Sequence, residues 1–591
     1  MKKRLLSMLL LFVLVLSSAC GGQTNEPDAP DEPNGPTVPE PTWETVVPDE
    51  EAEGNFMIAT FERPVDEVNT DRGVHQLIYY TRMRGETTKT NEYGVEAVVV
   101  DGRVVSVGHN DSPIPELGFV VSGNDSHAQF ILWEMLPGAL VSFDRETYTL
   151  TVSMDKQAYL SGALHMLREC KDMLTRYRRD HPNPEAADAL VANMEAFVAQ
   201  IRGGADGAAI QESYQQILNM YEDVYLACMP SPEGEIRAVW HNLWGKQTKN
   251  QIRNYMERFA SAGFNVVFLD VFAIGYLIFR SEHAPLMPQA DVDFDVLQEY
   301  IDVGKELGIE IHACTNNFLI GVYGHEGASQ SGAYLADWHP DFITHYKDGT
   351  YRSEIEEGGI MLNPAHPGAR QLLLDIYAEL VDNYDIGGIN LDFIRYFPYN
   401  SVDDCMGFDD YSKAKVLEEL GIDIMEITSI HSDEWLQFRD WRAEQVSSFV
   451  ALVREMLDRK NREREKPVLL SACVVGRYQR AYNDRSSDWP RWIDEGWLDF
   501  VCPMSYFQYD KPIYDEVTAM LERVPGAVIA VGISPINMGL PRIQWLKQIQ
   551  ASRDAGGRGV ALFSSVTLNA RQERLFGEGP FRTKTAPRFD W

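Results

Sequence analysis

The second half of the chain repeats one pattern, and this pattern restricts the fold more than any other feature. From residue 235 onward, short apolar runs alternate with amphipathic stretches that have helical spacing. Eight such runs lie at residues 238–240, 266–269, 309–312, 389–391, 468–472, 500–504, 528–531 and 560–563. Strands that alternate with helices form parallel sheets, and eight of them favour a closed barrel over a doubly wound sheet. No Gly-x-Gly-x-x-Gly loop, the main sign of a dinucleotide-binding fold, follows the first run. We therefore predict an α/β protein in which residues 231–591 form a (β/α)8 TIM barrel.

Two different patterns precede the predicted barrel. Residues 54–154 contain short β-prone runs separated by Gly, Asn and Asp turns, including the hairpin signal Asp101-Gly102. Residues 155–230 then change to helical periodicity. The sequence thus predicts a small, mainly β domain, followed by a helical segment that links it to the barrel.

The N-terminus has the pattern of an export signal. Basic residues 2–4 precede an apolar run at residues 5–16, and small residues then lead to Cys20. The segment that ends at Cys20 resembles the lipobox of bacterial lipoproteins, and an ordinary signal peptide with a chance cysteine is the alternative. We expect residues 1–19 to be removed and the thiol of Cys20 to carry a diacylglycerol. The mature protein would then be anchored to the cell membrane or outer membrane, facing the envelope or the exterior.

The composition predicts a disordered tether and argues against a nucleic-acid partner. Residues 20–53 are rich in Pro, acidic residues, Gly and Asn, and we predict that they form a disordered spacer. The net charge of −35 repels nucleic-acid phosphates, so we expect no nucleic-acid partner. Beyond Cys20, the cysteines show no metal-site or disulfide-framework spacing, although Cys170 and Cys228 could pair after export. We expect no metal and no cofactor.

Polar and aromatic residues gather at the ends of the predicted barrel strands, where the active sites of such barrels lie. The candidates for substrate contact, at strand ends and in the loops that follow them, are Trp240, His312, Asn316, Asn390, Arg395, Tyr396, Trp489 and Tyr506. The aromatic members could stack on sugar rings, and core packing is the alternative for each. His312 could polarise a substrate hydroxyl or donate to Asp392, or it could be a satisfied core residue.

Asp392 is the sharpest catalytic candidate. It alternates with Asn390, so both side chains point to the same side of the strand. An inward aspartate cannot be fully buried without a partner, and Arg395 is a plausible one. Asp392 is therefore either catalytic or part of an ion pair that only holds the barrel together.

Several motifs in one order resemble a known family. His312-Ala-Cys-Thr-Asn316, Gly388-Ile-Asn-Leu-Asp392 with Arg395-Tyr396, and Asp488-Trp-Pro-Arg-Trp492 are similar to motifs of the bacterial glycosyl hydrolase-like family 10. The resemblance covers residues 235–565. It implies a glycosidase-type barrel, with peptidoglycan glycan as one substrate in some members.

The chain departs from that pattern at two positions. The family usually has an aromatic residue where Cys314 stands and a Gln where Met504 stands. Met504-Ser-Tyr506 is instead similar to strand six of chitinase-like barrels, and Asp392 matches the last Asp of their strand-four motif. The catalytic Glu of those barrels falls at Ile394. This departure puts a substrate-assisted chitinase mechanism in doubt.

Glycoside hydrolysis ordinarily needs two carboxylates, and the sequence leaves the second one open. Asp488 is favoured because it belongs to a matching motif, although it could simply cap a helix. Asp270 is next, because a strand end places it deep in the barrel. Other acidic residues, more typical of solvated loops, are Glu354, Glu356, Glu357 and Asp510.

These features predict a glycoside hydrolase of the cell envelope that acts on a polysaccharide or on peptidoglycan glycan. Asp392 would serve as nucleophile or base, and Asp488 or Asp270 as acid. One alternative is a catalytically inactive barrel that binds carbohydrate. Another is a structural envelope protein in which residues 55–152 do the binding.

Overall fold

The structure is a computed structural model, and it describes only part of the chain. The described residues are 45–46, 57–65, 67–68, 77–177, 184–203, 206–243, 245–322, 335–356, 358–535 and 538–590. The predicted signal peptide, Cys20 and most of the predicted tether lie outside them. Within these ranges, no helix combines the length and the apolar character needed to cross a membrane.

The first part of the described chain forms a mainly antiparallel sheet with the strand order β1-β2-β9-β8-β6-β5-β7-β4-β3. Its strands are β1 (Thr45–Val46), β2 (Met57–Pro64), β3 (Glu67–Val68), β4 (Ile78–Tyr80), β5 (Val95–Val100), β6 (Arg103–His109), β7 (Gly118–Gly123), β8 (Leu140–Asp144) and β9 (Thr149–Asp155). The predicted hairpin is present, because Asp101 and Gly102 join β5 to β6 with φ values of 50° and 72°. β1 lies inside the predicted tether but pairs with β2.

Four helices follow or flank this sheet. They are α1 (Asp125–Glu134), α2 (Lys156–Tyr177), α3 (Pro184–Arg202) and α4 (Gly207–Cys228). α1 packs against β5 and β7, whereas α2, α3 and α4 pack on one another through their apolar faces. Cys170 and Cys228 are buried there as free thiols, so the predicted pairing of these two cysteines is not present.

The third part of the described chain contains the strands and helices of the barrel. Its strands are β10 (Ile236–His241), β11 (Val266–Ala273), β12 (Tyr276–Leu277), β13 (Glu310–Thr315), β14 (Leu319–Gly321), β15 (Arg352–Ser353), β16 (Gly359–Met361), β17 (Gly388–Leu391), β18 (Leu469–Val474), β19 (Phe500–Pro503), β20 (Ala530–Ile533) and β21 (Gly559–Leu562). Its helices are α5 (Lys249–Ala262), α6 (Val296–Leu307), α7 (Leu335–Trp338), α8 (Pro367–Asn383), α9 (Asp410–Leu420), α10 (Asp433–Asn461), α11 (Tyr478–Arg485), α12 (Trp489–Asp494), α13 (Lys511–Arg523), α14 (Arg542–Asp554) and α15 (Ala570–Glu578).

Eight of these strands pair in parallel in the order β19-β18-β17-β13-β11-β10-β21-β20. Parallel bridges between Val501 and Ile529 and between Met504 and Gly532 then bring β19 next to β20. The ring is therefore nearly closed, which confirms the predicted (β/α)8 barrel, preceded by a mainly β region and helices. β14, β16 and β15 form a separate small sheet in the long connection between β13 and β17.

Helix boundaries follow local signals in the sequence. α5 begins with a capping box, in which the Thr248 side chain accepts from the backbone N–H of Gln251 and the Gln251 side chain accepts in return. α5 and α6 both end at a glycine in the left-handed region, Gly263 and Gly308, with φ values of 87° and 72°. Each glycine ends its helix and allows the chain to turn back toward the next barrel strand.

The inside of the barrel is a small apolar core of its own. It is built from Ile236, Ala238, Trp240, Val266, Phe268, Cys314, Cys473, Phe500, Cys502, Val528, Ala530 and Ala561. Phe589, from the C-terminal segment, packs against Phe500 with ring centroids 5.1 Å apart. Because Phe500 begins β19, this contact fills the N-terminal end of the barrel and leaves the opposite end for a site.

Candidate active site

A small pocket lies at the C-terminal ends of the barrel strands, and we call it the central pocket. It is lined by Trp240, Asn242, Asp270, Asn316, Asp392, Cys473, Met504, Tyr506 and Phe563. Five of these residues are candidates from the sequence: Trp240, Asp270, Asn316, Asp392 and Tyr506. The structure thus brings together residues that lie in seven different barrel strands or in the loops that follow them.

Strand register explains why the two aspartates of the central pocket meet. Asp270 of β11 is paired with Cys314 of β13, which is paired with Asn390 of β17. Paired residues on adjacent parallel strands point to the same face, so all three point into the barrel. Asp392 follows Asn390 by two residues and therefore points inward one layer higher. A register shift just after Asp270 marks a bulge at this end of β11, a feature common beside active sites.

Asp270 is the more buried carboxyl group, with 7% of its surface exposed. The Asn242 side-chain amide donates to its Oδ2 at 2.5 Å. Burial raises the pKa of Asp270 to about 7, and the negative charge of Asp392 acts in the same direction. The Cys314 thiol opposes this rise. Near neutral pH, Asp270 therefore retains a proton that an ordinary aspartate would have lost.

Asp392 lies in a setting that stabilises its anion better. Burial raises its pKa, but the Phe393 backbone N–H and the charge of Arg395 oppose that rise. The N–H group donates to Oδ1 at 2.7 Å. The charge of Glu356 adds a smaller rise to the pKa of Asp392. Because a cation acts on Asp392 and none is among the causes that shift Asp270, Asp392 ionises more readily and Asp270 is the carboxyl group that keeps its proton.

The backbone at Asp392 is held in an unusual conformation. Phe393, the next residue, has a φ of 47°, in the left-handed region that a phenylalanine rarely adopts. Asn317 holds the segment by donating its side-chain amide to the Asp392 carbonyl oxygen at 2.5 Å. Strain of this kind is typical of functional sites, and here it directs the Phe393 N–H toward the carboxylate.

An aromatic wall and an unused amide complete the central pocket. Tyr506 stacks on Phe563 with ring centroids 5.4 Å apart, and Trp240 meets the same phenylalanine edge-on at 6.1 Å. The side-chain Nδ2 of Asn316 has no hydrogen-bond partner within the described residues. This amide is therefore available to donate to a ligand.

The central pocket is nearly closed. Its free volume is about 20 Å³, about enough for one water molecule. A sugar ring can reach the two aspartates only if side chains of the aromatic wall move.

Arg395 has a different carboxylate partner from the one predicted. Its Nη1 lies 3.2 Å from Oε1 of Glu356, and its guanidinium lies over the Phe393 ring. Glu356 comes from the turn between β15 and β16, so sequence position alone could not reveal this pair. Arg395 influences Asp392 through its charge, but it does not line the central pocket.

Two predicted substrate contacts lie below the central pocket. The ring of His312 packs against Phe268, Phe500 and Phe589, and its Nε2 is 3.5 Å from Glu310. Asn390 is fully buried and donates to Ser471 at 2.8 Å. This placement corrects the prediction for both residues, because strands point several layers of side chains inward and only the top layer reaches a ligand.

The predicted substrate contact of Tyr396 is also not present. This side chain is fully buried, and Arg442 covers its ring at 4.8 Å. Its backbone N–H donates to the Arg485 carbonyl. Tyr396 therefore packs under the loop after β17 and offers no ring face to a sugar.

Asp488 and Trp489 do not reach the central pocket. Asp488 precedes α12 and accepts a hydrogen bond from Tyr478, and Trp489 is fully buried in that helix. Of the two candidates for the second carboxylate, the structure places Asp270, and not the favoured Asp488, in one pocket with Asp392. Asp488 lies in the segment after β18, outside that pocket.

Sequence reasoning did not select four residues of the central pocket: Asn242, Cys473, Met504 and Phe563. Phe563 ends the eighth apolar run, and Asn242 follows the first one, so reading every strand end would have found both. Among the residues that the structure describes, no cluster of His, Cys, Asp and Glu could hold a metal ion.

Comparisons with known proteins point to one family. The family model described as Glycosyl hydrolase-like 10 matches residues 235–531. An S-layer-related protein of Niallia circulans is 26% identical over 375 residues, which are 55% of this chain and 23% of that protein. Glycosyl hydrolase YngK of Bacillus subtilis is 21% identical over 317 residues, 48% of this chain and 56% of that protein.

A third relative is similar over a shorter stretch. Glycosyl hydrolase DigH of Escherichia coli O6:H1 is 22% identical over 280 residues, 42% of this chain and 56% of that protein. The match with this chain therefore spans between 23% and 56% of the length of these relatives.

The raised pKa of Asp270 predicts how stability changes with pH. An aspartate in the unfolded chain loses its proton at about pH 3.9, whereas folded Asp270 keeps it up to about pH 7. Between these values the folded state binds the extra proton, so stability falls as pH rises. The substitution Asp270→Asn removes this loss of stability, because an asparagine side chain has no proton to release. Urea unfolding should show the variant gaining stability over the wild type from about pH 4 to about pH 8, by up to about 4 kcal/mol.

Asp172→Asn, on the exposed side of α2, is the matched control and should show little such dependence. A stability difference between Asp270→Asn and the wild type that stays constant across this pH range would contradict the raised pKa.

Proposed function

This chain belongs to the glycosyl hydrolase-like family 10, and from that premise we propose that its barrel hydrolyses glycosidic bonds. Asp270 acts as the general acid and Asp392 as the ionised nucleophile or base. The observation that carries this proposal is the pair of carboxyl groups in one pocket, of which Asp270 is the more buried and has a pKa raised to about 7. Two carboxylates with separated pKa values are the usual catalytic pair of glycosidases.

The chemistry follows from where the proton resides. Asp270 donates its proton to the glycosidic oxygen as the bond to the anomeric carbon breaks, and the leaving sugar departs as an alcohol. Asp392 either attacks the anomeric carbon or removes a proton from the attacking water. Both roles require an ionised Asp392, which the Phe393 N–H and Arg395 favour. Asn242 fixes the acid through its hydrogen bond to Oδ2.

The aromatic wall and the unused Asn316 amide support a sugar as substrate. Tyr506, Phe563 and Trp240 present apolar surface beside the carboxyls, and pyranose C–H faces pack on such rings. The Asn316 Nδ2 can donate to a sugar hydroxyl. We take the substrate to be a polysaccharide or the glycan of peptidoglycan, which the predicted envelope location would bring within reach.

The location is part of the proposal. Basic residues 2–4, the apolar run that follows them and the lipobox-like segment at Cys20 support export and lipid attachment. A lipid on Cys20 would hold the barrel at a membrane surface, with the Pro-rich and acidic stretch as spacer.

A carbohydrate-binding protein without activity is a second candidate function. The small volume of the central pocket, about 20 Å³, favours it, because a productive sugar ring must first displace aromatic side chains. The two candidates differ in one respect: only an enzyme releases new reducing ends.

Release of reducing ends from peptidoglycan and from common polysaccharides tests the enzyme. The wild type should release them from at least one glycan. Asp392→Asn and Asp270→Asn should each lower the rate by a factor on the order of a hundred or more, because each removes one partner of acid–base catalysis. Asp488→Asn should keep far more activity than either, since Asp488 lies outside the central pocket.

The same assay separates the candidates. If no glycan is cleaved while both the wild type and Asp392→Asn bind one tightly, the protein is the inactive binder. Equal losses from Asp488→Asn and Asp270→Asn would remove Asp270 from the acid role.

Cys20→Ala tests the anchor. In a bacterial host that processes lipoproteins, the wild type should fractionate with membranes and the variant should be released to the soluble fraction, because the variant has no thiol to carry the lipid. An unchanged membrane fraction would contradict lipid attachment.

A further inference from the structure

A second cleft lies on the flank of the barrel, between the first sheet and helices α11, α12 and α13. We call it the flank cleft, and its volume is about 930 Å³. It shares no lining residue with the central pocket. We propose that the flank cleft is a separate binding site for a neutral, hydroxyl-rich saccharide, held chiefly by Glu92 and Trp489.

The flank cleft is built where the first sheet meets the barrel. Arg477 pairs with Glu92 at 3.1 Å, and Arg480 donates to the Tyr93 hydroxyl at 3.0 Å. Tyr509 donates to Asn110 at 2.6 Å. These contacts fix the two walls relative to each other, so the cleft is a feature of the packed fold.

Two residues that line the flank cleft each carry a buried polar side-chain atom with no hydrogen-bond partner within the described residues. One is Oε1 of Glu92, whose side chain is 5% exposed, and the other is the indole Nε1 of Trp489, which is fully buried. Arg480 approaches that Glu92 oxygen only to 3.9 Å. Burying such atoms unsatisfied costs free energy, so a ligand that bonds to them gains affinity.

The two atoms together select the chemistry of the ligand. Glu92 Oε1 accepts hydrogen bonds, whereas Trp489 Nε1 can only donate. A carboxylate or phosphate would suit Trp489 but would meet the charge of Glu92. A cation would suit Glu92 but offers nothing to the indole. A sugar hydroxyl both donates and accepts, so the hydroxyls of one saccharide can satisfy both atoms.

The remaining walls of the flank cleft fit the same ligand. Three guanidinium groups face four carboxyl groups there: Arg477, Arg480 and Arg523 face Glu92, Asp515, Glu516 and Glu522. Lys511 pairs with Asp515, so neither sign of charge dominates. Burial raises the pKa of Glu516 to about 7, and at neutral pH this carboxyl both donates and accepts. This lining offers both donors and acceptors to a ligand without a strong net charge.

The inference does not depend on activity of the barrel. In an active barrel, the flank cleft would be a second binding site for a long glycan. In an inactive one, the protein would still bind the glycan through the flank cleft. The experiment therefore measures binding, in protein that carries Asp392→Asn so that no substrate is consumed.

Trp489→Phe tests the flank cleft. It removes the indole N–H, which makes no hydrogen bond within the described protein, together with part of a fully buried ring, so thermal stability should fall because a cavity is left. Calorimetry is run against five neutral hexasaccharides: hexa-N-acetylchitohexaose, cellohexaose, maltohexaose, xylohexaose and mannohexaose. At least one should bind, and the variant should weaken it roughly three- to tenfold. Added salt should change this affinity little, because the ligand has no charge.

Trp492→Phe is the matched control. Trp492 lies in the same helix and is equally buried, but its Nε1 donates to Ser447 at 2.9 Å. This variant leaves the same kind of cavity and also loses that hydrogen bond, so it should lose at least as much thermal stability as Trp489→Phe but keep the affinity. Hexagalacturonate serves as the anionic probe in the same titrations.

Several results would overturn the proposal. One is the absence of binding by all five neutral hexasaccharides. Another is salt-sensitive binding of hexagalacturonate alone, which would make the flank cleft an anion site. A third is neutral binding that Trp489→Phe leaves unchanged, which would place the saccharide elsewhere. Loss of hydrolysis with intact binding at the flank cleft would instead count only against the proposed catalytic pair.

Discussion

In the ring of eight parallel strands that the structure describes, side chains point alternately into the barrel and out of it, and the interior has room for only a few layers. Phe589 and the aromatic side chains around His312 fill the lower end. Polar groups are left to the upper end, where Asp270 and Asp392 are one layer apart on strands separated only by β13. Closure of the barrel therefore forces two carboxyl groups into one largely apolar space.

That enforced proximity determines their chemistry. Two carboxyl groups so close cannot both be ionised without cost, and their surroundings decide which of them keeps the proton. A backbone N–H and the charge of Arg395 stabilise the ionised form of Asp392, whereas burial raises the pKa of Asp270. Glu356 holds Arg395 in place from a separate small sheet. Glu356, in the long connection between β13 and β17, thus contributes to the electrostatics of the site without lining the central pocket.

The sequence predicted the architecture because each barrel strand appears as its own apolar run, and the family resemblance rested on motifs at the ends of those runs. It also predicted that Asp270 and Asp392 lie at the same end of the barrel, since the strand ends of a barrel must converge; their catalytic roles stay predictions. Asp488, Trp489 and Tyr396 were misplaced because they lie in loops or short helices, whose direction depends on packing with α10 and the first sheet. The predicted position of His312 was wrong because a strand residue can point into the barrel and still lie one layer below the central pocket. The pairing of Arg395 with Glu356 joins distant loops, and no local pattern encodes it.

The most direct test of the catalytic pair is the pH dependence of kcat/KM on a glycan that the enzyme cleaves, because this profile reports the pKa values of the free enzyme. Loss of the proton from Asp270 should make kcat/KM fall as pH rises through about 7. This fall should be absent from the residual activity of Asp270→Asn. An alkaline fall that survives in Asp270→Asn, or a wild-type profile that stays flat through neutral pH, would contradict Asp270 as the acid.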